Sequence, residues 1–506
     1  MQKRRYTQVA GNPVRSASDY PLTVPAALLA PVAGALVGIS TNNLTAAFAV
    51  FVLLAGTGLV WRRSDPPVLP FVIAYQWVSV TAGYWYQRVF DTFPGIYRLG
   101  DLERTMALAL AGLLVLALGI RITSQLLGPA AAAGSETPRA GDRSQLIKPL
   151  FIVVMVTYGL DYTYTVNARD FGGFASFVQR VLEFRQVLLV TLWLEILRQR
   201  TNVALLIVTF VWAVVPRLGS YYSDFKSPVV LMFIVLAASW RPWERGSLRR
   251  SVFASLKAAP FVAALLVLLL IWQGGLKKNT RVAHDEGTIG RSASERVSFF
   301  VQNFRTELPL LFTTPEPYVE ALVERVSYIT FFSRVLEHTP EREPHARGEL
   351  LRMAMLNAFV PRFIVPDKPE LPSDSYYTRR FTGIPVAEAG TSVSIGYMAE
   401  FYADWGVAGL FVSVFLFGGW IGLASAIVNR FTAVPALRFA ALTTVLLAVA
   451  DFEQQFVKGF AALNLNVLVT LFLMFALRPW LLRITASAPD RASVPTPRAI
   501  EAPAGR

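Results

Sequence analysis

The stretch NAFVPRFIVPDKPELPSDSYYTRRFTGIPVAEAGTSVSIGYMAEFYADW, residues 357–405, organises the reading of this chain. It separates two groups of apolar segments, yet it carries five prolines, the cations Arg362, Lys368, Arg379 and Arg380, and six carboxylates. Pro361, Pro366, Pro369, Pro372 and Pro385 lack a backbone donor and push the preceding residue out of helical geometry. The first half is therefore predicted to be irregular chain. Irregular backbone cannot face lipid, so the segment is predicted to sit in water or to line a wet cavity. A helix is predicted to resume after Thr391 and Ser392, either of which can cap it. That helix presents Glu400 and Asp404 on one face at i, i+4 before Gly406. Fixed charge on proline-stiffened chain at a membrane edge suits an anionic, lipid-borne ligand.

Outward from this stretch the composition is that of a membrane protein. Of 506 residues, 54% are hydrophobic and only 16% charged, and mean hydropathy is +0.45. Repeated apolar runs of about 18–20 residues mark a polytopic all-α membrane fold. The net charge of +14 is what cytoplasmic loops rich in Lys and Arg produce, and no nucleic-acid-binding pattern accompanies it. With no cysteine the chain has neither disulfides nor a thiolate metal site or nucleophile.

Taken in order, the basic N-terminus (residues 1–20) precedes apolar segments at Leu22–Ser40 and Leu44–Trp61, joined only by Thr41-Asn42-Asn43. That tight hairpin reads as two retained spans rather than a cleaved leader. Further spans are predicted near Val68–Tyr86, Arg104–Ile120, Pro149–Val166, Val181–Leu197, Asn202–Val215, Ser227–Trp240 and Ala258–Gln273. About 130 residues then pass without a membrane-length apolar run, and spans ten to twelve start near Val407, Pro435 and Gly459. The expected division is a tail (1–20), nine spans (21–273), a long loop (274–405), three spans (406–483) and a Pro/Ala/Ser/Arg-rich tail (484–506). Twelve spans put both termini on one side. About 24 Lys and Arg lie in the tails and the loops on their side, about nine in the short loops opposite and about 15 in the long loop, which is exempt from the positive-inside rule. The termini are thus expected in the cytoplasm and the long loop outside. Within that loop Tyr318–His338 and Arg347–Phe359 have helical apolar spacing and are predicted to lie on the outer membrane face or to cap a cavity.

The charges that could carry chemistry cluster on the outer side: Arg217 with Tyr221, Tyr222, Asp224 and Lys226; Lys277, Lys278, Arg281 and His284; and the opening stretch itself. Asp161, Glu183, Arg185, Asp451 and Glu453 fall within or beside spans, where ionisable groups tend to line sites. A plainer reading stands beside each. Arg and Lys at span ends snorkel to headgroups, Glu400 and Asp404 can serve a helix dipole, and Arg379-Arg380 can answer Asp374 and Glu370. No HExxH, P-loop or His/Cys spacing is present. Asp101/Glu103 and Asp451/Glu453 are DxE triplets too common to signal a metal, and neither metal nor cofactor is expected.

The runs NAFVPRFIVPDKP (357–369) and TSVSIGYMAEFYADWG (391–406), entering a final group of spans, resemble the Wzy-type O-antigen and exopolysaccharide repeat-unit polymerases. The polar outer segments YYSDFKSP (221–228) and Lys277–Arg281 add to the likeness. The resemblance implies a bacterial inner-membrane glycosyltransferase at the periplasmic face. Such enzymes move a glycan from undecaprenyl pyrophosphate to a hydroxyl of the next lipid-linked repeat unit, beside membrane lipid and with a flippase and chain-length regulator of the same pathway as partners. A pyrophosphate leaving group calls for cations, and bidentate Arg suits phosphate oxygens. Arg362, Lys368, Arg281 and Arg217 are the first candidates, with Lys226, Arg379 and Arg380 behind them. The acceptor hydroxyl needs a base, for which Glu400, then Asp367, then His284 are candidates. A ligase moving finished glycan from the same carrier would look alike. A transferase using polyprenyl-phosphate monosaccharides would need an acidic first outer loop, and a transporter or flippase would show paired repeats and broken helices.

Overall fold

A computed structural model describes residues 23–62, 65–90, 92, 101–127, 144–167, 181–199, 202–217, 225–240, 260, 262–287, 293–360, 369–386, 393–432 and 435–480. It is helical throughout, with no strand among the described residues. The first part holds α1 (Thr23–Thr41), α2 (Leu44–Val60), α3 (Val68–Phe90), α4 (Leu102–Leu126), α5 (Ser144–Asn167), α6 (Arg185–Gln199), α7 (Val203–Val214) and α8 (Lys226–Trp240). Next come α9 (262–285), α10 (Ala293–Thr313), α11 (Glu316–Val326), α12 (Ile329–His338), α13 (Glu349–Phe359) and α14 (Asp374–Thr382). The chain closes with α15 (Tyr397–Phe431), α16 (Pro435–Leu447) and α17 (Phe456–Ala476).

Among the described residues four helices are long and apolar enough to cross a membrane: Leu102–Leu126, Val262–Ala283, Tyr397–Phe431 and Phe456–Ala476. Shorter apolar helices accompany them at Leu29–Thr41, Leu44–Val60, Val203–Val214, Lys226–Ser239 and Ala436–Leu447. The helix predicted over 202–215 is only 12 residues long, about 18 Å of rise against a hydrocarbon core of about 30 Å.

The packing centres on α4 against α15, where the two backbones touch. A Cβ on Gly119 would lie 2.3 Å from the Phe415 carbonyl, and one on Gly418 would lie 2.3 Å from that of Leu116. Small residues permit this approach, and dispersion between the helices replaces the hydrophobic drive that lipid does not supply. The α2, α3 and α17 helices pack around this pair, and one continuous core runs from Ala46 to Met474. A second core gathers Phe225, Ile271, Trp272, Leu276, Phe300, Leu311 and Tyr318, so that α10 and α11 close over the end of α9.

The structure departs from the predicted elements in three places. The helix expected over Tyr318–His338 is two, because Ser327 is extended and Tyr328 N–H donates to the Ser79 carbonyl of α3 at 2.9 Å. The helix of span nine runs on past residue 273 through a π turn at Trp272–Leu276 into Lys277–Asp285, which places Lys277 and Arg281 on helix rather than loop. The helix after the proline-rich stretch begins at Tyr397 behind Gly396, not at Thr391 or Ser392, which lie outside the described residues. As the sequence predicts, the helix carrying Glu400 and Asp404 stops before Gly406, where α15 is broken at φ 69° and ψ −160°, a conformation that suits glycine. The break frees carbonyls at the end of its first piece. Ala346 and Arg347 N–H donate to the Ala403 and Asp404 carbonyls at 2.9 Å each. The Asp404 carboxylate in turn accepts from Leu350 N–H at 3.1 Å and Leu351 N–H at 2.8 Å, capping α13 from another helix.

Gly418→Val forces a side chain into the Leu116 backbone and is expected to cost about 1–3 kcal/mol, lowering Tm in detergent. Gly159→Ala, where a Cβ meets nothing within 4 Å, should leave Tm at or slightly above wild type.

Candidate functional site

The residues that could act on a ligand meet at the turn between α16 and α17, residues 448–455, sequence AVADFEQQ. This is irregular chain between two apolar helices, so its polar backbone must be satisfied from elsewhere. Gln76 of α3 donates Nε2 to the Val449 carbonyl at 2.9 Å and is itself held by the Tyr397 hydroxyl at 2.8 Å. At the far end Phe456 N–H, the first of α17, donates to Glu400 Oε2 at 2.9 Å. Glu400 is 4% exposed, in a region of packed rings: Phe401–Phe456 tilted at 4.8 Å, Phe456–Phe460 stacked at 5.1 Å and Tyr397–Phe417 edge-on at 5.4 Å. Two residues into α17, Lys458 Nζ pairs with Asp374 Oδ2 of α14 at 2.6 Å.

Cations converge on the same turn. Arg325, in the last turn of α11, clamps Glu453 with both terminal nitrogens, one at 2.6 Å. Lys277 of α9 lies within electrostatic reach of Arg325, Arg281, Lys226 and Glu453, and Asp451 within reach of Glu453, Arg325 and Lys226. Lys226, Lys277 and Arg325, from α8, α9 and α11, thus lie in reach of these carboxylates, with Arg281 in reach of Lys277. Nearby, burial lifts the Tyr328 hydroxyl well above the ordinary tyrosine value and the charge of Glu453 adds to the effect. The group therefore stays protonated and donates to the Ser394 carbonyl. Among the described residues no group of His, Asp or Glu side chains gathers as a metal site would.

The predicted site residues distribute as follows. Lys226 and Arg281 come together in the cation cluster, and Glu400 stands at the other end of the same turn. Arg217 lies in an ion-pair triad, with Asp161 between it and Arg185, the latter at 2.7 Å. Both guanidiniums sit over the Tyr158 ring, at 5.0 and 5.2 Å. Arg380 is engaged by Glu343 at 2.6 Å and by Glu349 at 3.0 Å, not by Asp374 or Glu370. That network ties α14 to the start of α13 and leaves its charge neutralised. Arg379 donates to the Val386 carbonyl at 3.2 Å. His284 belongs to the closing turn of α9. Arg362, Asp367 and Lys368 lie outside the described residues.

Sequence reasoning missed Arg325, Lys458 and Gln76. Lys458 left a signal, as the one Lys or Arg between Arg438 and Arg478, two residues into an apolar segment. Arg325 left none, since it looks like any exposed charge on an amphipathic helix.

Glu400→Ala strands a buried N–H at the head of α17 and should cost about 1–3 kcal/mol. Glu400→Gln keeps an oxygen acceptor there and should hold Tm near wild type; thermal unfolding in detergent distinguishes the two.

No curated protein and no solved structure matches the chain. One family does, over residues 138–478, about two thirds of the sequence. The match takes in α5 to α17, and so Lys226, Lys277, Arg281, Arg325, Glu400 and the whole 448–455 turn. With that coverage the chain belongs to the family described as Domain of unknown function (DUF8712).

Proposed function

We propose that this protein is a membrane glycosyltransferase that joins undecaprenyl-pyrophosphate-linked repeat units into polymer at the periplasmic face of a bacterial inner membrane. The observation that carries the reading is the gathering of Lys226, Lys277 and Arg325 about the carboxylates of the turn before α17, with Arg281 in reach of Lys277, beside helices apolar enough to sit in lipid. A diphosphate carried on a polyprenyl chain needs that combination of positive charge and lipid boundary. In the reaction the acceptor hydroxyl oxygen forms a bond to the anomeric carbon of the donor glycan. The carbon–oxygen bond to pyrophosphate breaks, and undecaprenyl pyrophosphate leaves with the electron pair. The cations meet the charge that develops on the leaving group. Glu400 takes the hydroxyl proton, and Arg362, Asp367 and Lys368 stay candidates on the sequence alone, outside the described residues. In this proposal the chain crosses the membrane twelve times, with both termini in the cytoplasm and residues 274–405 outside, so that the cations and Glu400 meet the leaflet where such units are joined. A ligase acting on the same carrier is the second reading, since cation cluster and carboxylate would serve it equally.

Deleting the gene and fractionating lipid-linked glycans separates the cases. A polymerase leaves single repeat units on the outer leaflet, a ligase leaves finished polymer on the carrier, and a flippase leaves single units facing the cytoplasm. Arg281→Ala and Glu400→Gln are expected to reproduce the deletion at wild-type protein level; normal chain length in both would remove these residues from the mechanism. The lack of cysteine allows a direct test of orientation. Lys278 is exposed at the end of α9, and Lys278→Cys should react with a membrane-impermeant maleimide added outside spheroplasts. Reaction only in inverted vesicles would put the cluster on the wrong face.

A further inference from the structure

Gln455 occupies the cap position of α17, yet its side chain makes no capping bond. Glu400 does that work from another helix, at Phe456 N–H. Gln455 is 1% exposed. Its amide Oε1 and Nε2 are both sealed from solvent, and neither has a hydrogen-bond partner. Its backbone carbonyl, in contrast, is used twice, accepting from Lys458 and Gly459 N–H at 3.1 Å each. A buried primary amide carries donor and acceptor sites that are expensive to leave unmade, and an apolar side chain of equal length would serve packing better. A group kept at a stability cost beside a site is the pattern expected of a residue selected for binding.

The charge around it limits what it can bind. Glu400 and Asp374, against Lys458 alone, make this end of the turn negative or neutral, while the cations collect at Glu453. A phosphate would be repelled here and could use only half of the amide. A sugar hydroxyl both donates and accepts, and so matches Nε2 and Oε1 together. Lys458, three residues on, is 46% exposed at its side chain, so accessible surface begins about one helical turn from Gln455. Resting on the polymerase reading above, we propose that the Gln455 amide binds a hydroxyl of the acceptor sugar. The turn then divides the site, with donor pyrophosphate at the Arg325–Glu453 end and acceptor sugar at the Gln455–Glu400 end.

Gln455→Met keeps side-chain length and removes both polar atoms. The expected result is a Tm in detergent at or above wild type, together with a loss of polymer of about tenfold or more and accumulation of single lipid-linked units. A Tm below wild type would make the amide structural, and wild-type polymer would make it idle; either overturns the assignment. The gene deletion is the separate arm. If it accumulates no single units, the polymerase reading fails and the acceptor site with it, whereas a polymerising wild type with an indifferent Gln455→Met overturns the acceptor site alone.

Discussion

A stretch of non-helical backbone held between two apolar helices sets the terms for the helices packed around it. Val449, Ala450, Phe452 and Gln455 of this stretch are buried and cannot rely on water for their polar groups, and each one left unpaired would cost free energy comparable to a lost hydrogen bond. The partners come from far apart in sequence: Gln76 on α3 for the Val449 carbonyl and Glu400 on α15 for Phe456 N–H. Arg325 on α11 holds the Glu453 side chain, and Asp374 on α14 holds Lys458 just beyond. A turn that has to be satisfied by four separate helices fixes those helices with respect to one another. The polar groups gathered for this purpose are the same ones that could meet a ligand.

Glu400 and Asp404 show how one local spacing does two long-range jobs. At i, i+4 they share a face of the short helix 397–405. Instead of pairing with cations, each reaches the N-terminus of a different helix, α17 and α13. Oriented N–H groups favour negative charge there, so two carboxylates buried at 4% and 1% exposure have a structural reason to exist. For Asp404, with both oxygens bound to backbone N–H, that reason is sufficient. For Glu400 it leaves open chemistry that its neighbours, Gln455 and the Lys458–Asp374 pair, make plausible on geometric grounds.

Much of this was legible in the sequence, and the illegible parts share a cause. Apolar period and length located the helices that could enter a membrane, and proline spacing located the non-helical residues 369–373, because both signals are local, whereas α14 forms within the stretch expected to be irregular. Lys226, Arg281, Asp451 and Glu453 were visible as charges beside apolar runs. Their convergence was not, since it depends on how α8, α9 and α11 pack. The break at Ser327–Tyr328 is invisible because its cause is a carbonyl on α3, about 250 residues away. Arg380 looked like a ligand for phosphate, or a partner of nearby Asp374 and Glu370. Its true partners, Glu343 and Glu349, became neighbours only after α12, α13 and α14 had folded together.

The π turn at Trp272–Leu276 has a consequence for where this helix directs its charge. One extra residue in a turn rotates everything beyond it by about 100° about the axis, since an α-helix holds 3.6 residues per turn. Lys277 and Arg281 therefore look in a direction that the apolar stripe of 262–271 would not give them in an unbroken helix. Gly274 and Gly275 are pressed against Tyr318 and Glu307, with less than 2.5 Å to spare for a side-chain carbon, so α10 and α11 lock that rotation in place. Straightening this turn to α geometry with all its residues kept would leave hydropathy and net charge untouched while swinging both cations to another face. The two glycines that let the turn widen against its neighbours thus decide where these charges point.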